Sequence, residues 1–415
     1  SESEFPFSRT ALMYVYMGHL KFDHTKLYED HFWDKNRIGR LIAHVNRIDT
    51  NSKTIFLSDN SNLNYDSLII ATGSKSNKFG WPGQDLNGVQ GLYSLQDLES
   101  MELKSNEGLH RAVIVGGGLI GVEMAEMFHS RGIQVSFLVR EASFWNIILP
   151  KEESAMINRH LLEQGIDLRL SEELSEIKGK EKVESIITKS NEEIVCQFVG
   201  LTVGVSPNID FVKDSGIKVN RGIQVDEFLQ TNIEDVYAIG DCAELLSPSQ
   251  GRKAIEAVWY TGRMMGQTVA STLCGNKKKY NPGVWFNSAK FFDIEYQVYG
   301  YVPIQDDQSS QLYWEHPEKP LSIRLVYNKL NKSLLGVNLM GIRYRHEVCE
   351  AWIRNGTSIE SVLENLSLAN FDPEFFEEYE SNLISIYNSN TGQSIKQKSK
   401  RKLNQVSKFL QSFSK

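Results

Sequence analysis

Short apolar runs closed by glycines punctuate the first two-thirds of the chain and predict buried strands alternating with helices. Residues 47–49 and 54–57 read as two short strands around a polar turn, Thr50-Asn51-Ser52-Lys53. Tyr65-Asp66-Ser67-Leu68-Ile69-Ile70-Ala71-Thr72-Gly73 is an apolar, partly β-branched run that halts at a glycine, the pattern of a buried strand. Gly80-Trp81-Pro82-Gly83 is a turn, and the polar stretch from there to Gly108 reads as a linker with one short helix. Apolar residues resume as a strand at 112–115, a Gly116-Gly117-Gly118 turn, a helix at 120–130 ended by Gly132, and a second strand at 135–139. Strands follow at 183–188 and 198–203. Another buried one, Asp235-Val236-Tyr237-Ala238-Ile239-Gly240, is closed by Asp241. A helix rich in Ala, Met and aromatics is expected over 254–271.

From about residue 281 the pattern changes. Trp285, Phe286, Phe291, Phe292, Tyr296, Tyr299 and Tyr301 crowd together, residues 321–326 and 334–340 form a hairpin, and a helix starts over 347–353. This predicts a separate α+β domain ending near Tyr379. Residues 391–415 carry seven Lys/Arg and no acid, the pattern of a solvated basic tail.

A chain of 415 residues with 41% hydrophobic and 23% charged positions can bury more than one core, which excludes global disorder. The net charge of −7 argues against nucleic acid or a membrane surface as partner. Cys196, Cys242, Cys274 and Cys349 are widely spaced with no CxxC, so neither a disulfide scaffold nor a zinc ribbon is expected. No apolar run reaches membrane-spanning length and the first residues are acidic, so a cytoplasmic location is expected.

The strongest chemical signal is Val113-Ile114-Val115-Gly116-Gly117-Gly118-Leu119-Ile120-Gly121-Val122-Glu123: GxGxxG between a strand and a helix. Gly116 permits the tight turn, Gly118 lets a pyrophosphate approach the backbone, and Gly121 lets helix and strand pack closely. The helix N-terminus then faces the phosphates, which predicts dinucleotide binding. At the end of the next strand Val139 stands where an acid would read the ribose of NAD, and Arg140 follows, with Glu141 one place further; this favours NADP(H). Ala71-Thr72-Gly73 and Ala238-Ile239-Gly240-Asp241 each end a buried strand, where a cofactor can approach backbone and Asp241 can accept from a polyol.

With these segments in this order, the chain resembles the two-dinucleotide-binding-domain flavoproteins, the pyridine nucleotide–disulfide oxidoreductase superfamily that includes ferredoxin, rubredoxin and nitrite reductases. Residues 65–73 match its YDxLIIATG, residues 113–123 its NAD(P) turn, Thr202-Val203-Gly204-Val205 with Pro207-Asn208 its TxGxxPN, and residues 236–243 its VYAIGDCA. The resemblance covers roughly residues 1 to 300. It implies an α/β fold with two Rossmann-like domains, an FAD domain (1–85 and 204–280) holding an inserted NAD(P) domain (86–203). A C-terminal α+β interface domain (281–380), often a dimerisation surface, and a basic tail (381–415) follow. Gly116, Gly118, Leu119, Ile120, Gly121, Glu123, Arg140 and Gly204 would hold NAD(P)H. Arg9, Ala71, Thr72, Gly73, Gly240 and Asp241 would contact FAD, with the backbone amides of Glu256 and Ala257, opening the 254–271 helix, facing the flavin pyrimidine ring.

Three departures matter. The family's opening strand and its own GxGxxG for the FAD pyrophosphate have no counterpart here; a truncated or misassigned start is one explanation, loss of FAD binding the other. The stretch where dithiol and peroxide-reducing members carry cysteine is Phe7-Ser8-Arg9-Thr10-Ala11-Leu12-Met13-Tyr14, without a thiol, so disulfide and cysteine-based peroxide reduction are not expected. Ferredoxin-reductase-like members have RPPLSK there, of which Arg9 and Leu12 remain, and Asn287 replaces an Asp. The resulting expectation is an FAD-dependent NAD(P)H oxidoreductase delivering electrons to a protein carrier or a small acceptor. The alternatives are a flavin-free NAD(P)H-binding scaffold, and a subunit of a larger electron-transfer complex docked by its basic tail. Arg343-Tyr344-Arg345-His346 is expected to be a surface salt-bridge cluster, and no catalytic side chain or metal site is expected.

Overall fold

The computed structural model describes residues 1–249, 251–371 and 377–398. Residues 399–415 of the expected basic tail lie outside the described residues. Two compact units emerge, one of Ser1–Phe144 with Leu161–Pro282, the other of Trp145–His160 with the chain from Gly283 onward.

The first unit holds a five-stranded parallel sheet in the order Val89–Gln90, Phe198–Leu201, Arg111–Val115, Gln134–Val139, Asp167–Leu170. Ala112, Val113 and Ile114 have no exposed surface, because the central strand is covered on both faces. Helix Leu119–Ser130 crosses from Arg111–Val115 to its parallel neighbour Gln134–Val139. The expected linker after Gly83 is more structured than its polarity implies. It contributes the edge strand Val89–Gln90 and the twelve-residue helix Leu95–Asn106. Ser94 and Asp97 cap that helix reciprocally: Ser94 Oγ accepts from Asp97 N–H at 3.1 Å and Asp97 Oδ2 from Ser94 N–H at 2.9 Å.

Leu68–Ile70 pairs in parallel with Val236–Ala238 over a second core that includes Ile48, Val225 and Met265. Leu68–Ile70 has one strand partner among the described residues, and Ile69 is 41% exposed. The helix expected from 254 begins later, as Trp259–Leu273. The Ala254 carbonyl accepts from Leu245 N–H at 2.9 Å, which ties that residue to the preceding strand and takes it out of a helical ladder.

In the second unit, five antiparallel strands run in the order Phe286–Phe291, Ile294–Gly300, Leu334–Met340, Ser322–Asn328, Ser309–Glu315. The expected hairpin is its centre. Ile323, Leu325 and Tyr327 share a core with Trp352 and Leu363 of helices His346–Arg354 and Ile359–Glu364. Arg324, between them, points to the opposite face by the two-residue period of a strand. Helix Glu380–Thr391 adds Leu383, Ile384 and Tyr387 to this core, which therefore continues past Tyr379. The α/β class with parallel sheets and a C-terminal sheet domain is what the chain adopts. No described helix is long and apolar enough to cross a membrane.

Candidate functional site

The GxGxxG segment forms a turn with three different glycine requirements. Gly116 has φ +116, and a Cβ there would meet the Thr202 carbonyl oxygen at 2.6 Å. At Gly121 it would meet the Gly116 carbonyl oxygen, with Thr202 Oγ1 at 2.8 Å and Phe137 at 3.0 Å. Gly118 differs from both: its φ is −118 and nothing lies within 4 Å of the Cβ position. Gly118 is the N-cap of helix Leu119–Ser130, and no side chain caps that end. The N–H groups of its first turn, including those of Leu119 and Ile120, thus lie beside open space at the positive end of a helix, which suits a phosphate. Thr202 braces the turn by donating to the Val115 and Gly116 carbonyls at 2.9 and 3.1 Å. Gly204, φ +91, follows it and accepts from Asn77 N–H at 3.1 Å.

At the end of Gln134–Val139 the Val139 side chain is buried, while Arg140 is 70% exposed and donates Nε and Nη2 to Glu141 Oε1 at 3.2 and 2.8 Å. On helix Leu119–Ser130, Glu123 lies one turn before the buried Glu126. Burial, and then the charge of Glu126, push the Glu123 carboxyl up to about 7. The folded state therefore holds a proton that an unfolded glutamate, near 4.5, has lost. This stability is complete below 4.5 and is lost as pH rises through 7. Between pH 5 and 8 the wild-type chain should lose roughly 2–3 kcal/mol, and Glu123→Gln should abolish most of that slope. Urea unfolding at several pH values checks this; parallel slopes would show that Glu123 titrates normally.

The two strand-end turns are joined by a residue the sequence reading left in the linker, Tyr93. Its hydroxyl accepts from Ser74 N–H at 2.8 Å and donates to Asp241 Oδ2 at 3.1 Å. The room left by the missing Cβ of Gly73, φ +63, is filled by that hydroxyl. Gly240, φ +69, instead has open space where its Cβ would be, a cradle that a ligand can enter. Arg9 covers the Tyr93 ring at 4.8 Å, donates to the Tyr93 carbonyl at 2.5 Å and pairs with Glu2. Thr72 Oγ1 donates to the Asn208 carbonyl at 2.8 Å, and Asn208 N–H to the Gly73 carbonyl at 2.9 Å, which fixes the Ala71-Thr72-Gly73 turn. Burial raises the Asp241 carboxyl above its usual range, and burial with the Asp241 charge pushes the Tyr93 phenol up to about 12.

Glu256 and Ala257 lie in the irregular segment before Trp259–Leu273, preceding its N-cap Val258, so they do not open the helix. The Glu256 side chain is buried in an ion pair with Arg252, at 2.6 and 2.5 Å. Cys242 is buried and donates to the Ile239 carbonyl at 3.3 Å, and burial raises its thiol pKa, which keeps it unreactive. Arg343 pairs with Glu295 and His346 lies 3.7 Å from Glu350, but Tyr344 is buried and Arg345 donates to the Phe371 carbonyl at 3.5 Å, so only part of the expected 343–346 surface cluster forms ion pairs. Among the described residues no group of His, Cys, Asp and Glu could hold a metal.

The model of the pyridine nucleotide-disulphide oxidoreductase family matches residues 1–268. The chain belongs to that family. That family is one of oxidoreductases that use a pyridine nucleotide. The assimilatory nitrate reductase electron transfer subunit of Bacillus subtilis is 30% identical over 276 residues, 66% of this chain and 35% of that protein. The rubredoxin-NAD(+) reductase of Ectopseudomonas oleovorans is 27% identical over 66% of this chain and 72% of its own length. The chain thus spans about a third of the first of these relatives. Among solved structures, the NAD-dependent persulfide reductase from A. fulgidus superimposes with a TM-score of 0.81 at 23% identity, over 94% of this chain and 78% of that one. The fold continues through the C-terminal sheet, beyond the residues the family model matches.

Proposed function

We propose that this chain is an FAD-dependent NAD(P)H oxidoreductase that works without a redox-active cysteine and passes electrons to a protein carrier or small acceptor. The open, uncapped helix start at Gly118, braced by Thr202, carries the reading. Gly116, Gly118, Leu119, Ile120, Gly121 and Gly204 hold the pyridine nucleotide, with Glu123 behind them on the same helix. The open cradle at Gly240 beside Asp241 fits the polyol of FAD, and Arg9, Ala71, Thr72, Gly73 and the backbone amides of Glu256 and Ala257 would help to hold the rest of it. When bound, the two cofactors supply hydride transfer, so the chain's residues need only bind, orient and exclude water. The rubredoxin reductase relative supports a protein electron carrier as acceptor.

We further propose NADPH as the preferred donor. Arg140 stands at the end of Gln134–Val139 with Nη1 outside its contact with Glu141, and it can pair with a 2′-phosphate. An absorption spectrum of the chain reconstituted with FAD should show bands near ~450 nm that bleach on anaerobic addition of NADPH. Arg140→Ala should lower kcat/KM for NADPH about tenfold and leave NADH unchanged, the size of one charge-assisted contact. Equal losses with both donors would remove Arg140 from donor selection. A chain that stays colourless with FAD present, yet binds NADPH, would replace the enzyme reading with a flavin-free one.

A further inference from the structure

We propose that Tyr93 is a positioning residue that orients the Asp241 carboxylate toward the flavin polyol; the proposal rests on the FAD reading above. Three segments distant in sequence, carrying Arg9, Ser74 and Asp241, converge on this tyrosine. Its backbone is held at both ends: Tyr93 N–H donates to Asp97 Oδ2 at 2.8 Å, and its carbonyl accepts from Arg9 Nη1 at 2.5 Å. Asp97 is itself locked by capping the helix Leu95–Asn106. The ring lies under the Arg9 guanidinium, and Glu2 pairs with Arg9 and accepts from Leu95 N–H at 3.1 Å.

The direction of the hydroxyl proton follows from this geometry. Ser74 N–H can only donate, so the Tyr93 oxygen accepts there, and its own proton goes to Asp241 Oδ2. The phenol does not ionise in the working pH range, so this donor is permanent. A carboxylate on a short turn between Val236–Ala238 and Ala243–Leu245 could otherwise rotate; one oxygen committed to a rigid donor fixes its plane. A half-buried tyrosine satisfied by Ser74 alone would be an ordinary packing residue. The second bond, to the acid beside the open cradle at Gly240, sets it apart.

The charged and titratable groups facing Asp241 are Tyr93, Arg9 (paired with Glu2) and the adjacent Cys242 thiol. From helix Trp259–Leu273, which packs against the same turn, Met265 Sδ accepts from Gly240 N–H. Removing the Tyr93 hydroxyl takes away the largest of the influences that favour the ionised acid, and Arg9 opposes burial with less help, so the Asp241 carboxyl should protonate at higher pH.

The test uses the full chain with Tyr93→Phe, Asp241→Asn and the double variant. FAD binding is read by quenching of flavin fluorescence from pH 5 to 8, and unfolding of the ligand-free chain is followed over the same range. Tyr93→Phe should weaken FAD about tenfold at pH 7 and move the acid-side loss of affinity up by about one pH unit. In the Asp241→Asn background the same change should do little to either. A Tyr93→Phe chain with a lower melting temperature but unchanged affinity and pH profile overturns the proposal and leaves Tyr93 structural. Failure of the wild-type chain to take up FAD overturns the FAD reading and the ligand half of the proposal. The Tyr93–Asp241 coupling is then decided by ligand-free unfolding alone, where additive effects of the two substitutions at every pH sink it.

Discussion

Gly118→Val should leave the fold standing and remove pyridine-nucleotide binding, by about 100-fold or more, while Gly121→Val should damage the fold itself. The two glycines are three residues apart in one motif, and the structure separates their roles. At Gly118 the backbone is extended and the Cβ position is open, so valine costs little in the ligand-free chain. Its methyl groups would fill the space a phosphate needs to reach the helix N–H groups, and losing those contacts is worth roughly 3 kcal/mol. At Gly121 the new Cβ runs into the Gly116 carbonyl and lies 2.8 Å from Thr202 Oγ1. Neither can retreat, because Thr202 is itself bonded to the Val115 and Gly116 carbonyls. A destabilisation of about 3 kcal/mol is expected. Urea unfolding and nucleotide titration on the two variants check this. A Gly118→Val chain that binds NADPH like the wild type would reduce the motif to a plain turn.

The second large effect is expected far along the sequence, at Arg324→Met. Arg324 is 4% exposed and donates to both oxygens of Glu153 at 2.7 Å, to Glu152 at 2.7 Å and to Gln311 at 2.5 Å. Glu153 has no exposed surface, and its other donor is Asn338 at 3.2 Å. With Arg324 gone, Glu153 keeps a buried charge without its cation, or takes up a proton at a cost. Loss of one partner of such a pair costs about 3–5 kcal/mol. A double variant, Arg324→Met with Glu153→Leu, removes both desolvated charges and should recover most of the loss. Equal stability of the single and double variants would show that the orphaned carboxylate is not the source.

These pairs mark where sequence reasoning stops. The glycine-rich turn was legible because its glycines, strand and helix are contiguous and local sterics dictate the geometry. Arg324 and Glu153 lie 171 residues apart, and nothing in either neighbourhood signals the other. Tyr93 was hidden for the same reason: it sits in a polar stretch, and its partners Arg9, Ser74 and Asp241 come from three other segments. A signal did exist nearby, since Ser94 and Asp97 have the spacing of a capping box and marked a helix start one residue on. The late start of Trp259–Leu273 had no local sign, because Ala254 is a good helix former whose carbonyl was taken by a strand.

The residues alone determined the α/β class, the place of the glycine-rich strand–turn–helix, the order of the family's segments and the absence of cysteine from residues 7–14. Each depends on short-range sterics or on residue identity, which no packing can change. Only the tertiary structure decided which glycine faces open space and which faces Tyr93, that Arg140 is shared with Glu141, and that Glu123 is crowded by Glu126. Contacts between distant segments are selected by burial and by the need to pair every buried polar group, and those demands arise once the chain has folded.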